Sequence, residues 1–169
     1  MIIREATLSD VPLIATLAQQ SYIETFGATM SGDELQCALE ERSENYFDSI
    51  FGKDTVLIAL DGNTIVGFIQ FGEAHYDSII PLKNDIELNK IFINSSYQGK
   101  GVGTQLMNSM LSHSRLKDTV NIYLDVYPEN MKAIGLYNKY GFQIIGKIPY
   151  IANGKTIGHD LLMKLVVKQ

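Results

Sequence analysis

Gln98-Gly99-Lys100-Gly101-Val102-Gly103-Thr104 sets three alternating glycines where a strand-like segment passes into a helix-like one. Upstream, Ile86 to Ile93 alternates and is rich in β-branched and aromatic residues, the pattern of a strand. Downstream, Val102, Leu106, Met107, Met110 and Leu111 recur at helical spacing on one face. A glycine-rich turn that opens a helix offers several backbone N–H groups, clear of Cβ atoms, at the positive end of the helix dipole. Such a turn can cradle a phosphate or pyrophosphate. The spacing therefore predicts a phosphorylated cofactor.

Spacing also sorts the cofactors. A Walker A loop needs a glycine four residues ahead of a Gly-Lys-Ser/Thr triplet; here Lys100 is followed by Gly101, and the upstream glycine is missing. A dinucleotide turn fits better at Gly99-x-Gly101, with Asp125 near the end of the next strand as a ribose ligand. However, Thr104 occupies its third glycine position, and Asn94 to Gln98 intervene between the strand and the first glycine. A glycine turn that only packs a helix on a strand is the remaining alternative.

Gln98-Gly99-Lys100-Gly101-Val102-Gly103 resembles the Gln/Arg-x-x-Gly-x-Gly/Ala signature of the GNAT N-acetyltransferase superfamily, which grips the pyrophosphate of acetyl-coenzyme A (acetyl-CoA) there. Asn130-x-x-Ala133-x-x-x-Tyr137-x-x-x-Gly141-Phe142 resembles the superfamily's second cofactor motif, and a strand pattern from Val120 to Val126 separates the two. The resemblance covers about the last 110 of the 169 residues, and the first 50 match only in layout. It implies a single-domain α/β (α+β) acyl-CoA N-acyltransferase fold, with a central mixed, mostly antiparallel sheet flanked by helices. Residues 1–50 would select the acceptor, and 86–145 would carry the acetyl-CoA motifs. The implied cofactor contacts are Ile91, Phe92 and Ile93, Gln98 through Thr104 (Gly99, Lys100, Gly101, Val102 and Gly103 between them), Asn130, Ala133 and Tyr137. Ile91 and Ile93 would serve mainly through their backbone, pairing with pantetheine amides as a strand would. Lys100 would neutralise phosphate or point to solvent. Asn130 would contact the cofactor, cap its helix, or both.

Acetyl transfer needs a neutral amine, a stabilised oxyanion and a proton for the departing thiolate. Deprotonating an alkyl ammonium at neutral pH costs about 4 kcal/mol, so a base or a water relay helps. The resemblance makes Glu87 the candidate base, on the strand leading to the cradle; substrate binding and an ordinary strand carboxylate remain alternatives. It makes Tyr137 the candidate acid, since a phenol keeps its proton at neutral pH. A buried packing aromatic is the alternative there, and Tyr140 falls off the motif's register. Tyr22-Ile23-Glu24-Thr25-Phe26, with the other motifs, is similar to bacterial spermidine/spermine N-acetyltransferases, which implies Tyr22, Glu24 and Phe26 as substrate-binding residues; for Glu24 a solvated helix-end carboxylate is the alternative. The acceptor so implied is a primary amine on a polyamine or amino-acid-like molecule. A protein N-terminus or lysine is an alternative, as is a non-catalytic acetyl-CoA sensor.

The elements that must position these residues follow from periodicity. Ile2 to Ala6 reads as a strand. Ser9 is placed to cap a helix with Pro12 in its first turn and Val11, Ile14, Leu17 and Ala18 as its core face. Ser31-Gly32-Asp33-Glu34 has capping-box spacing, predicting a second helix through about Phe47. Asp61-Gly62-Asn63 joins Thr55–Leu60 to Thr64–Phe71 as a hairpin. His75 to Asn84 reads as a loop, Asn130 to Tyr140 as a helix, and the residues after Gly141 and from Thr156 to Val167 as strands.

With 46% hydrophobic and 20% charged residues, the composition is that of an ordinary globular domain. A net charge of −5 and the lack of a basic run argue against nucleic acid. The sole cysteine, Cys37, forms no intrachain disulfide and is expected to be buried and inert, in a reducing, cytoplasmic setting. The N-terminus carries Arg4, Glu5 and Asp10 rather than an apolar core, and no apolar run reaches membrane-spanning length, so neither a signal peptide nor a membrane partner is expected. His75, His113 and His159 lack metal-ligand spacing, and no metal is expected. His113 is placed late in the helix after Gly101, where a cation complements the dipole. A homodimer is left open.

Overall fold

The computed structural model describes residues 1–152 and 154–167. Its strands are β1 (Ile2–Glu5), β2 (Thr55–Asp61), β3 (Thr64–Glu73), β4 (Ile86–Ile93), β5 (Asn121–Val126), β6 (Gln143–Ala152) and β7 (Lys155–Val166). Its helices are α1 (Val11–Phe26), α2 (Gly32–Glu40), α3 (Glu44–Ile50), α4 (Val102–Leu111) and α5 (Met131–Lys139). The strands form one seven-stranded sheet in the order β1-β2-β3-β4-β5-β7-β6. Antiparallel pairs dominate, and β4 and β5 run parallel. This is the mixed, mostly antiparallel sheet that the motif order implies. The chain divides into two compact units.

The first unit holds Met1–Gln70 and Lys90–Met110. Its core forms because α1 turns Val11, Ile14, Leu17 and Ala18 onto Phe47, Val56, Ile58 and Phe68, all buried. Gly62, at φ 59°, makes the tight hairpin turn between β2 and β3. Gly67 is glycine because of crowding. A Cβ there would stand 3.0 Å from the Phe92 carbonyl oxygen, so its absence lets β3 lie close against β4.

Two expected helix boundaries are corrected. Ser9 is not the cap of α1. A 3₁₀ turn, Leu8–Asp10, precedes the helix, and Asp10 accepts from the Thr7 backbone N–H at 2.8 Å and the Thr7 hydroxyl at 2.9 Å. Arg4 then clamps the same carboxylate through both guanidinium nitrogens, at 2.8 and 2.9 Å, an arrangement that spacing alone does not reveal. The helix opened by Ser31 also stops early, at Glu40. The Arg42 guanidinium turns back onto the Ala38 carbonyl, and the Ser43 hydroxyl accepts from Tyr46 N–H at 3.2 Å, starting α3 afresh. Cys37 is half-buried rather than buried.

The second unit holds Phe71–Asn89 and Leu111–Gln169. Here β5 pairs with β7 from Asn121↔Val166 to Val126↔Leu161, and β6 folds back on β7 as a bulged hairpin. Parallel pairing of β4 with β5 sets Ile86 beside Ile122 and Glu87 beside Tyr123. The buried Asp85 carboxylate accepts from the Asn121 backbone and side-chain amides at 3.0 Å, and from Leu82 N–H at 2.8 Å. Those bonds tie the 74–85 loop to β5. His113 lies beyond the end of α4, not within it: its Nδ1 accepts from Arg115 N–H at 3.2 Å and its ring meets Phe71 edge-on. A dipole role is therefore replaced by a turn cap.

Among the described residues no helix is long and apolar enough to cross a membrane.

Candidate active site

The glycine turn is built by the residues ahead of it in the first unit. The Asn94 side chain accepts from Ser96 N–H at 3.0 Å, and Tyr97 N–H reaches the Asn94 carbonyl at 2.8 Å. The Tyr97 hydroxyl anchors this 3₁₀ turn to Asp61 at 2.9 Å. Gly99 and Gly101 then take φ of 74° and 83°, the left-handed region that side chains avoid. Open space surrounds the position of a Cβ at both. The glycines are therefore required by backbone conformation, not by crowding. Gln105 N–H to the Gly101 carbonyl, 3.0 Å, is the bond that closes the first turn of α4. The amides of Gly101, Val102 and Gly103 come before it, where helical N–H groups have no partner within the helix.

The structure narrows the cradle in two places. Lys100 N–H is directed at the Tyr97 carbonyl, 3.4 Å away, and the Lys100 ammonium lies 5.2 Å from the Tyr97 ring centroid. The exposed Gln98 side chain donates to the Ile93 carbonyl at 3.4 Å, which occupies part of the β4 backbone. Ile91, Phe92 and Ile93 are half-buried, and the Phe92 ring packs on Phe68 at 5.6 Å between centroids. Phe92 can therefore offer backbone rather than ring. Thr104 is exposed in the first turn of α4.

In the second unit, the Asn130 side chain accepts from Ala133 N–H at 3.3 Å and caps α5. The far end of α5 explains the spacing of the second motif. Gly141 N–H meets the Asn138 carbonyl at 3.0 Å and Phe142 N–H meets the Tyr137 carbonyl at 3.2 Å. With Gly141 at φ 90°, this is a Schellman stop. Its apolar contact is Tyr137 against Phe142, 5.8 Å between ring centroids. The Tyr-x-x-x-Gly-Phe pattern thus locks the Tyr137 ring. Tyr137 is buried, 5% exposed. Burial first, and the Asp125 charge second, push its phenol above the usual tyrosine value, so it stays protonated through neutral pH. Tyr140 is the residue capping the helix end.

Glu87 is half-buried and held by a segment that periodicity leaves as bare loop. His75 N–H donates to Glu87 Oε2 at 3.2 Å. The hydroxyl of the next residue, Tyr76, donates to Asp125 Oδ1 at 3.1 Å. Desolvation chiefly, with Asp125 adding, raises the Glu87 carboxyl above its ordinary value; the bond from His75 N–H partly offsets this. Asp160 of β7 is raised to about 6 by burial and then by Asp125. Within this unit, then, Glu87 and Tyr137 both interact with Asp125. Tyr76 is the member that sequence reasoning missed, because it lies in an aperiodic loop. Asp125 entered the sequence reading only as a ribose ligand of the dinucleotide turn; here it is the exposed residue of a strand otherwise buried.

In the front half, Tyr22 and Phe26 share a helix face, 4.8 Å between ring centroids. The Arg42 guanidinium stacks 3.8 Å over the Tyr22 ring. Glu24 is exposed, and two residues of helix turn it away from that face. The structure groups Tyr22 with Phe26 and leaves Glu24 apart.

A family model described as the acetyltransferase (GNAT) family matches residues 16–142. The chain is 34% identical over 96 residues to the spermine/spermidine N(1)-acetyltransferase of Bacillus subtilis strain 168, covering 55% of this chain and 60% of that one. It thus spans about 60% of the length of that relative. It is 24% identical over 162 residues to the L-methionine sulfoximine/L-methionine sulfone acetyltransferase of Pseudomonas aeruginosa PAO1, covering 94% and 88% of the two chains. The crystal structure of the PaiA N-acetyltransferase from Thermoplasma acidophilum in complex with coenzyme A superimposes with a TM-score of 0.77 at 20% identity, over 98% of each chain. A protein with this sheet, this glycine turn ahead of α4 and this family match over 16–142 belongs to the acetyltransferase (GNAT) family, whose co-substrate is acetyl-CoA.

Proposed function

We propose that the chain transfers acetyl from acetyl-CoA to a primary amine of a small molecule, a polyamine or an amino-acid-like acceptor. The observation that carries this reading is the pair of left-handed glycines, Gly99 and Gly101, directly ahead of the N-terminus of α4. Amides of Gly99 and of Gly101 to Gly103 would receive the pyrophosphate, Lys100 would add positive charge, and the β4 backbone at Ile91 and Ile93 would pair with the pantetheine arm. Residues 86–145 thus carry the cofactor motifs, and residues 1–50, with Tyr22, Glu24 and Phe26, select the acceptor. The names of the two relatives support an amine on a polyamine or an amino acid.

In this reading Glu87 takes a proton from the ammonium, and the neutral amine attacks the acetyl carbonyl carbon. The C–S bond then breaks, the Tyr137 phenol supplies the thiolate's proton, and the second proton lost by the acetylated nitrogen restores the phenol. A buried carboxylate with a raised pKa is a stronger base toward the amine than an exposed one, and a neutral phenol suits proton donation. A candidate acid and a candidate base that both feel the Asp125 charge favour an enzyme over a binding-only sensor.

The test is thiol release from acetyl-CoA with spermidine, spermine and 2,4-diaminobutyrate as acceptors. Turnover with at least one amine is expected. Tight acetyl-CoA binding without thiol release from any of them would overturn the enzyme in favour of the sensor.

A further inference from the structure

A cation drawn in among aromatic rings costs free energy unless an anion and hydrogen bonds replace the water it loses. Arg42, in the turn between α2 and α3 of the first unit, is such a cation. Its guanidinium stacks 3.8 Å over the Tyr22 ring and lies 5.9 Å from the Phe92 ring centroid. Both rings are held in turn, Tyr22 by Phe26 and Phe92 by Phe68. The Arg42 side chain is left only 13% exposed.

The chain replaces little of that water. Nη1 donates to the Ala38 carbonyl, which satisfies one of the last acceptors of α2. The Glu41 carboxylate lies 3.8 Å from the same nitrogen, beyond hydrogen-bond reach, and its side chain is 61% exposed, so solvent screens the pair. Nε is buried and has no acceptor. A helix-capping role explains Nη1 and leaves both the charge and Nε unanswered. A carboxylate would answer both, because its two oxygens match the donors along one edge of a guanidinium.

Position says whose carboxylate that is. Phe92 stands between Ile91 and Ile93, whose backbone the reading above gives to the pantetheine arm. Tyr22 and Phe26 belong to the half that the same reading gives to the acceptor. Arg42 therefore touches the acceptor helix and the cofactor strand together. Glu24, the carboxylate that would pair with a polyamine, is turned away from this face. A polyamine would bring further ammonium groups toward a cation and no anion, whereas an amino acid brings a carboxylate. We propose that Arg42 is the carboxylate clamp of the acceptor site, and that the acceptor is an amino acid rather than a polyamine. This rests on the acetyltransferase reading and narrows its substrate class.

Acceptor pairs that differ at the carboxylate test it: L-2,4-diaminobutyrate against 1,3-diaminopropane, and L-methionine sulfone against its methyl ester. Thiol release at saturating acetyl-CoA should give the parent a kcat/KM at least tenfold higher for the carboxylate-bearing member of whichever pair turns over, and higher than for spermidine. Arg42→Met keeps an unbranched stem against the Tyr22 ring and removes the charged fork. It should raise the KM of the amino acid at least tenfold with a much smaller change in kcat, and the preference within the pair should shrink by the same factor. Arg42→Lys, which keeps the charge without the fork, should recover part of that preference. A loss by equal factors for both members, with the preference intact, would make Arg42 a packing and capping residue and overturn the clamp. A parent that turns over 1,3-diaminopropane or spermidine as well as the amino acid would also overturn it, and that comparison stands even if Arg42→Met fails to fold. Either result leaves the acetyltransferase in place. If no amine releases thiol, the reading beneath falls and the clamp with it.

Discussion

Tyr137 and Glu87 are positioned by different physics, and their variants should behave differently. The Tyr137 ring belongs to the Schellman stop of α5, so Tyr137→Phe keeps the contact with Phe142 and removes only the phenol oxygen. Acetyl-CoA affinity should persist in calorimetry, while turnover falls by roughly 10²–10⁴, the range for loss of a general acid. Full turnover would assign the proton to water or another tyrosine. For Glu87 the pH dependence is diagnostic. Burial raises its pKa, so the acid limb of kcat/KM should lie above the ordinary carboxylate range, with activity gained as pH rises through it. The deficit of Glu87→Gln should be largest near neutral pH and shrink toward the amine's own pKa, where hydroxide supplies free base. A constant deficit seen only as raised acceptor KM would mark Glu87 as a charge partner instead.

At the scale of elements, caps decide where structure starts and stops. Asn130→Ala removes the bond to Ala133 N–H and should cost about 1 kcal/mol, read as a lower midpoint in urea with an unchanged slope. Asp10 is held far below the usual carboxylate range by the Arg4 guanidinium first and the Thr7 donors next. Its folded pKa is depressed, so its contribution is present above the unfolded value and lost as pH falls. Asp10→Asn should therefore lower Tm at pH 7 and converge with the parent toward pH 2. Equal Tm differences at both pH values would contradict the Arg4 clamp. The parts legible in the sequence were those set by local rules: the Gly62 hairpin, the α1 face with Ile14 and Leu17, the glycine turn and the Asn130 cap. The break at Arg42 and Ser43 escaped because a capping box announces where a helix begins and says nothing of its length. Tyr76 escaped because its hydrogen-bond partner, Asp125, lies 49 residues away along the chain, brought to it by the fold rather than by spacing.

For the molecule as a whole, buried carboxylates make stability pH-dependent in the opposite sense to Asp10. Asp160 is raised to about 6, chiefly by burial. A raised pKa means the folded state binds the proton more tightly, so stability is full below the unfolded value and declines as pH rises through 6. Asp160→Asn should raise Tm at pH 8 by about 2–4 °C, on the order of 1 kcal/mol once solvent screening of this half-buried group is allowed for, and by much less at pH 4. Acetyl-CoA should stabilise the chain by mass action, about 2.7 kcal/mol at a hundredfold excess over Kd.

The central claim is that the turn before α4 holds the pyrophosphate of acetyl-CoA, and calorimetric titration of acetyl-CoA tests it most directly. Gly101→Asp would set a carboxylate and a Cβ at a backbone of φ 83°, in the cradle. Gly52→Asp imposes the same kind of backbone strain at φ 84°, in the loop ahead of β2. The account predicts at least tenfold weaker binding in Gly101→Asp and parent-like binding in Gly52→Asp. Parent-like affinity in Gly101→Asp would contradict it.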